Sequence, residues 1–224
     1  MIIVHYLENS RAHRILWLLE ELGIPYDINL YRRGSDMRAP ESLKAVHPLG
    51  KSPVIEDGGK VIAESGAIIE YLIETYGGEV LRPAAGSDER LRYTYFLHYA
   101  EGSAMPLLVM KLVFAKLPGQ VPLLIRPIAS LIARAAAKSF IDPQLEEHIA
   151  FWERELARGG YFAGSEFSAA DIAMSFPVET AMTRIEPRRE RPLSAVRRYL
   201  EAIRSRPAYQ RALARGGAYS YATT

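Results

Sequence analysis

The chain of 224 residues contains no cysteine. That excludes disulfides, thiolate metal sites and a cysteine nucleophile, so any thiol chemistry needs a thiol brought in by a substrate. No uninterrupted apolar run approaches the ~20 residues of a membrane span. The N-terminus shows no basic flank, apolar core and cleavage site of a signal peptide, and β-favouring residues start at Ile2. These absences set a cytoplasmic protein as the expectation. Net charge is small, with 28 Lys and Arg against 26 Asp and Glu, and gives no argument for nucleic acid. No histidine has a partner at metal-ligand spacing, so no metal is expected.

One absence is local. Residues 102–141 contain no Asp or Glu, yet hold Lys111, Lys116, Arg126, Arg134 and Lys138 among many apolar residues. Pro118, Pro122 and Pro127 break the segment into a loop and a following helix. The favoured expectation is a buried bundle helix with a packed connection. The alternative is a basic, apolar surface that meets anionic amphiphiles or membrane surfaces without stable insertion.

What is present has the composition of a soluble globular protein and is long enough for one large or two small domains. Residues 1–7 read as a strand through Ile2, Ile3, Val4 and Tyr6. A helix follows with Ile15, Leu18, Leu19 and Leu22 on one face; Gly23 ends it and Pro25 forbids its return. Residues 26–31 read as a second strand, and the β-α-β order predicts parallel pairing. A short helix is expected at 40–46. Pro53-Val54-Ile55-Glu56, the turn Asp57-Gly58-Gly59 and Lys60-Val61-Ile62-Ala63 read as a hairpin. Glu64-Ser65 then opens a helix with Ile68, Ile69, Leu72 and Ile73 on one face, and Ser65 is its expected N-cap.

A helix start is an anion seat, because its first N–H groups have no intrahelical partner. Glu64 sets a carboxylate beside that seat. An acceptor for an ammonium next to a seat for a carboxylate suits a free α-amino acid end. Cap chemistry alone is the competing explanation.

The stretch from His47 to Leu72, with Ser-Pro-Val, Asp-Gly-Gly and Glu-Ser-Gly-Ala-Ile-Ile-Glu-Tyr-Leu in this order, resembles the glutathione transferases. Tyr6 to Gly23, with Ser10-Arg11-Ala12, is similar to the first strand, loop and helix of the serine-type bacterial and fungal members. The resemblance implies a thioredoxin-like domain at 1–78, then an all-helical domain at 89–216 that carries the pocket for a hydrophobic electrophile. It implies a cis Pro53 and a γ-glutamyl end of glutathione held by Glu64 and Ser65. It also implies a cysteinyl part paired with the backbone of Ser52, and a glycine carboxylate within reach of Lys51. Ser52 stands where related classes have valine. The hydroxyl that the resemblance implies facing the sulfur is that of Ser10, with Tyr6 as the alternative used by other classes. The implied protein is a homodimer with glutathione as co-substrate. Its reaction is attack of the thiolate on an electrophile, or reduction of an organic hydroperoxide. Two alternatives stay open: a non-catalytic interaction module, and a glutathione-dependent isomerase or dehalogenase. His5 and His13 read as structural.

The second half carries a linker at 77–88 and a helical pattern from Leu91 to Leu117, interrupted at Pro106. Ser87 or Asp88 caps it. Asp142-Pro143 reads as an N-cap followed by proline at the first helical position. Ser168 and Asp171 have capping-box spacing, and Phe167 with Ile172 has staple spacing. This is the expected folding element, and Pro177 is expected to kink the helix it starts. The arginines of 184–206 read as a solvated helix face, and Tyr219-Ser220-Tyr221 as a tail near the pocket mouth.

Overall fold

The computed structural model describes residues 1–34, 39–77, 79–184, 192–217 and 219–222. Gly78, Arg188, Arg189 and Arg191, which fall in the expected domain end and arginine cluster, lie outside them. The chain runs β1 (Ile2–Leu7), α1 (His13–Leu22), β2 (Tyr26–Tyr31), β3 (Val54–Asp57), β4 (Lys60–Ala63) and α2 (Ser65–Leu72). Strand order is β2-β1-β3-β4; β1 pairs parallel with β2 and antiparallel with β3, and β3 with β4. Gly23 stops α1 at φ 66°, and Gly58 and Gly59 make the hairpin turn at φ 55° and 82°. Both sites need the left-handed backbone that glycine tolerates. A 3-10 turn at Glu41–Ala45 occupies the expected short helix.

Among the described residues seven α-helices follow: α3 (Asp88–Tyr99), α4 (Met105–Lys116), α5 (Arg126–Ala136), α6 (Asp142–Gly159), α7 (Ala169–Arg184), α8 (Ser194–Arg204) and α9 (Pro207–Gly216). The sheet with its helices, then the helical part, is the thioredoxin-like and all-α arrangement expected. Ser87 caps α3, its Oγ accepting the Arg90 N–H at 3.1 Å.

Several local expectations are corrected. Asp142 is the first residue of α6 rather than its N-cap: α5, a π-helical turn at Ala137–Ile141 and α6 follow without a break, and Asp142 pairs with Lys111 Nζ at 2.5 Å. A second π turn, Ala100–Ala104, lies just ahead of Pro106. A proline inside a helix has no N–H and crowds the carbonyl four residues back. The wider turn accommodates both prolines while the helix goes on. Helix α7 spans Ala169–Arg184 with Pro177 inside it. The segment 117–140 is not a buried bundle element. Leu124 is 91% exposed and Leu131 64%, and α5 buries only Ala129 and Ala133.

The core lies between the sheet and α1–α2 and continues through α7 into the helical part. Trp17, Trp152, Phe162 and Tyr199 are fully or almost fully enclosed. Asp171 is also enclosed and accepts the N–H groups of Phe162 (2.8 Å) and Ser168 (2.9 Å) and the Ser168 hydroxyl (3.1 Å). Burial raises its pKa to about 6, against the pull of those donors.

The expected solvated arginine face is replaced in part by pairing with the N-terminal half. Arg206 pairs with Glu21 at 2.5 Å; beyond the expected cluster, Arg211 pairs with Glu20 at 2.7 Å and Arg215 donates to the Tyr26 carbonyl at 2.6 Å. Arg197 and Arg198 remain exposed. Helix α9 comes so close to β1 that a Cβ on Gly216 would sit 3.2 Å from the Tyr6 hydroxyl and 2.9 Å from Leu16 Cδ1.

Candidate functional site

The Ser52–Pro53 peptide is cis. Ser52 Oγ donates to the His5 carbonyl at 2.8 Å and accepts the Leu7 N–H at 3.1 Å. A valine would make neither bond. The hydroxyl ties the turn to β1, which gives the departure from valine a physical reason. The turn meets the start of α2 in a cleft of about 120 Å³. Lys51, Ser52, Pro53, Glu64 and Ser65 all line it, with Arg11, His47 and Leu49. A larger groove of about 470 Å³, between the linker and residues 163–168, is lined by none of these residues.

Glu64, not Ser65, is the N-cap of α2, and its side chain makes no capping bond. Its φ of 72° lies in the region that glycine prefers. Such a backbone costs on the order of 1–3 kcal/mol and recurs at binding sites. Glu64 is exposed to solvent at the cleft. Ser65 is buried, its Oγ accepting from Arg14 Nη2 at 2.9 Å and keeping its own proton to donate.

Arg14 organises the floor. It is fully buried on α1 and also donates to the Ala173 carbonyl at 2.7 Å and to Glu101 Oε1 at 2.5 Å. Glu101 sits in the π turn ahead of Pro106 and takes Arg11 Nη1 at 3.3 Å on its other oxygen. Burial works to raise the Glu101 pKa, but Arg14 and Arg11 outweigh it and hold the carboxyl below its ordinary value. Burial and Arg14 lower the Arg11 pKa, while Glu101 and Glu64 oppose them. Arg11 thus stands between the two carboxylates. Sequence reasoning missed Arg11, Arg14, His47 and Glu101. The available signal was Arg14 itself, a cation next to Ile15 and in line with Leu18 on the apolar face of α1.

Ser10 is not part of the cleft lining; it precedes Arg11 in the loop from β1 to α1. It is 6% exposed, and its Oγ accepts the Ala12 N–H at 3.2 Å. The α-helix proper begins at His13, so Ser10 caps a leading turn rather than α1. The hydroxyl proton is left to donate. Asn9, at φ 50°, accepts the Ser220 N–H on Oδ1 at 2.8 Å, so the chain end reaches this loop.

Tyr6 lies elsewhere. It is fully buried beside Leu16 and Gly216, and its hydroxyl has no partner among the described residues. Burial pushes its pKa up to about 12. His13 is buried too, stacked on Tyr219 with ring centroids 4.3 Å apart, and burial takes its pKa down to about 3. His5 is held by the Tyr31 hydroxyl at 2.9 Å and Glu56 at 2.8 Å. Among the described residues no three His, Asp or Glu side chains group to hold a metal ion.

Residues 10–75 match the family model for the glutathione S-transferase N-terminal domain, and residues 132–202 match that for its C-terminal domain. Glutathione S-transferase 3 of Schizosaccharomyces pombe is 33% identical over 208 residues, covering 93% of this chain and 85% of that protein. The chain belongs to the glutathione S-transferase family. Glutathione S-transferase 1 of Saccharomyces cerevisiae is also 33% identical, over 217 residues covering 93% of this chain and 92% of that one. The crystal structure of a glutathione S-transferase from Actinobacillus pleuropneumoniae superposes with a TM-score of 0.79 at 31% identity, covering 100% of this chain and 97% of that one. The family supports glutathione-transferase-type function, and the cleft lies inside the N-terminal match.

Proposed function

We propose that the chain is an enzyme that binds glutathione in the cleft between the Ser52–Pro53 turn and α2. The thiolate attacks a hydrophobic electrophile, or the outer oxygen of an organic hydroperoxide with a second glutathione completing the reduction. One observation carries the reading. The cleft gathers an exposed carboxylate, a helix N-terminus, a lysine and the cis Ser52–Pro53 turn. Glu64 would take the γ-glutamyl ammonium, and Ser65 with the first N–H groups of α2 its carboxylate. Lys51 would meet the glycine carboxylate. The backbone of Ser52 would pair with the cysteinyl part like an added strand.

Ser10 is the assigned thiolate donor. A free thiol has a pKa of about 8.5 and is mostly protonated at neutral pH. Lowering that by ~2 units needs ~2.7 kcal/mol of preference for the anion. A helix N-terminus supplies ~0.3–1 kcal/mol at ordinary sites. Here α1 begins three residues after Ser10, which reduces its share. A hydroxyl donating to the anion adds ~1.5–3 kcal/mol, so the hydroxyl carries most of the shift. The Tyr6 hydroxyl is buried beneath α9, 3.2 Å from where a Cβ on Gly216 would sit, whereas Ser10 adjoins Arg11, which lines the cleft.

The test is thiolate absorbance of bound glutathione against pH, with turnover on an aryl halide. Ser10→Ala is expected to return the titration toward the free value and cut turnover ~10–150-fold, the loss of that hydrogen bond. Tyr6→Phe is expected to leave both unchanged. The reverse pattern would overturn the serine assignment.

A further inference from the structure

Helix α5 is inverted relative to an ordinary surface helix. It packs inward through Ala129 and Ala133, and turns Ile128, Leu131 and Ile132 to solvent. These three share one face at helical spacing. The preceding turn adds Leu123, Leu124 and Ile125, all exposed. Six large aliphatic side chains in ten residues are thus exposed, a density that is rare on a protein with no partner for it.

The charge around this surface has one sign. No Asp or Glu occurs from Gly102 to Ile141. Lys116, Arg126, Arg134 and Lys138 are exposed, and none has a carboxylate partner among the described residues. Lys111 is answered by Asp142. With 28 cations and 26 carboxylates overall, five cations in this segment leave the rest of the chain net acidic. The basic character is therefore concentrated here and is not a property of the whole surface.

We propose that α5 and the turn before it dock on an anionic lipid surface. The aliphatic side chains would lie at the level of the acyl chains, and the cations, on longer stems, would reach the headgroup phosphates. A twofold contact of this face with its own copy would instead set cation against cation with no carboxylate between them. A nucleic acid would answer the cations but not the six aliphatic side chains. Among the described residues no helix is long and apolar enough to cross a membrane, so the contact is peripheral. The inference does not depend on the proposed glutathione site.

The test is flotation of the full chain with vesicles of phosphatidylcholine alone or mixed with phosphatidylserine. Binding is expected to the mixed vesicles only, and to fall with salt. Arg134→Gln with Lys138→Gln is expected to weaken binding ~30-fold, about 1 kcal/mol for each cation near the surface. Leu124→Ser with Leu131→Ser is expected to abolish it. Glutathione-dependent turnover without vesicles is expected to be unchanged in both variants, which confirms their folding. Absence of binding to mixed vesicles at low salt would overturn the proposal. So would binding that both variants retain. A wild-type oligomer that the serine variant dissociates, without vesicle binding, would assign the face to a second copy instead.

Discussion

Helix α1 carries Arg14 on its buried face, and helix α5 carries Arg134 on its exposed one. Both helices have an apolar face, and proline or glycine marks an end of each. Their surroundings differ. Helix α1 has β1, α2, α7 and α9 around it, so Ile15 to Leu19 are fully covered and even a guanidinium is enclosed with four hydrogen-bond partners. Helix α5 has neighbours on one side, and only its alanines are narrow enough to meet them closely. An apolar face in a sequence states that a partner is needed. It does not state that the partner belongs to the same chain.

That contrast can be broken from the α1 side first, where the largest effect is expected. Arg14→Met keeps the stem but removes the cation, leaving the Ala173 carbonyl and Ser65 hydroxyl without their donor and Glu101 with Arg11 alone. Loss of one partner of a buried pair costs about 3–5 kcal/mol. The unfolding free energy should fall by that amount, seen as a lower denaturant midpoint with little change in slope. A midpoint within error of the wild type would mean that α1 and α5 do not differ in the way described.

Glu64 is intermediate: exposed like the α5 residues, yet set among charged neighbours. Its replacement should spare the fold and act on the ligand. Glu64→Ala is expected to weaken glutathione ~10–150-fold by calorimetry, the worth of one hydrogen bond to a charged group, ~1.5–3 kcal/mol. An unchanged affinity would remove the carboxylate from the site.

The smallest effect belongs to α5. Leu131→Ser removes a large apolar side chain, which in a core costs several kcal/mol. At a position 64% exposed the change in unfolding free energy should stay within about 0.5 kcal/mol. A loss of several kcal/mol in dilute solution would show that the face is already covered.

The sheet was legible in the sequence because its signals are local. The turn Asp57-Gly58-Gly59 permits one connection, and Gly23 with Pro25 leaves α1 one place to stop. Strand β2 was read at the limits it has in the structure. The candidate cleft was legible as separate pieces, Lys51 to Pro53 and Glu64-Ser65, tied together only by resemblance. The Arg14–Glu101 pair was not legible, since 87 residues separate the partners and neither has a local pattern. The covered or bare state of α5 was not legible either, because it depends on which elements end up beside it. The continuous helix through Asp142-Pro143 was misread because the local cap pattern was present. Tertiary packing of α4 against the π turn, with Lys111 on Asp142, prevailed over it.

The tie between Asn9 and Ser220 bears on how the protein is made. Tyr6 and the outer side of α1 are covered by α9, and Asn9 is held by Ser220, which leaves the ribosome about 200 residues later. At roughly 5–20 residues per second, the ~195 residues from α1 to that tail take about 10–40 s to emerge. For that interval the first helix shows bare aliphatic surface, and the nascent N-terminal half is a natural client for a chaperone.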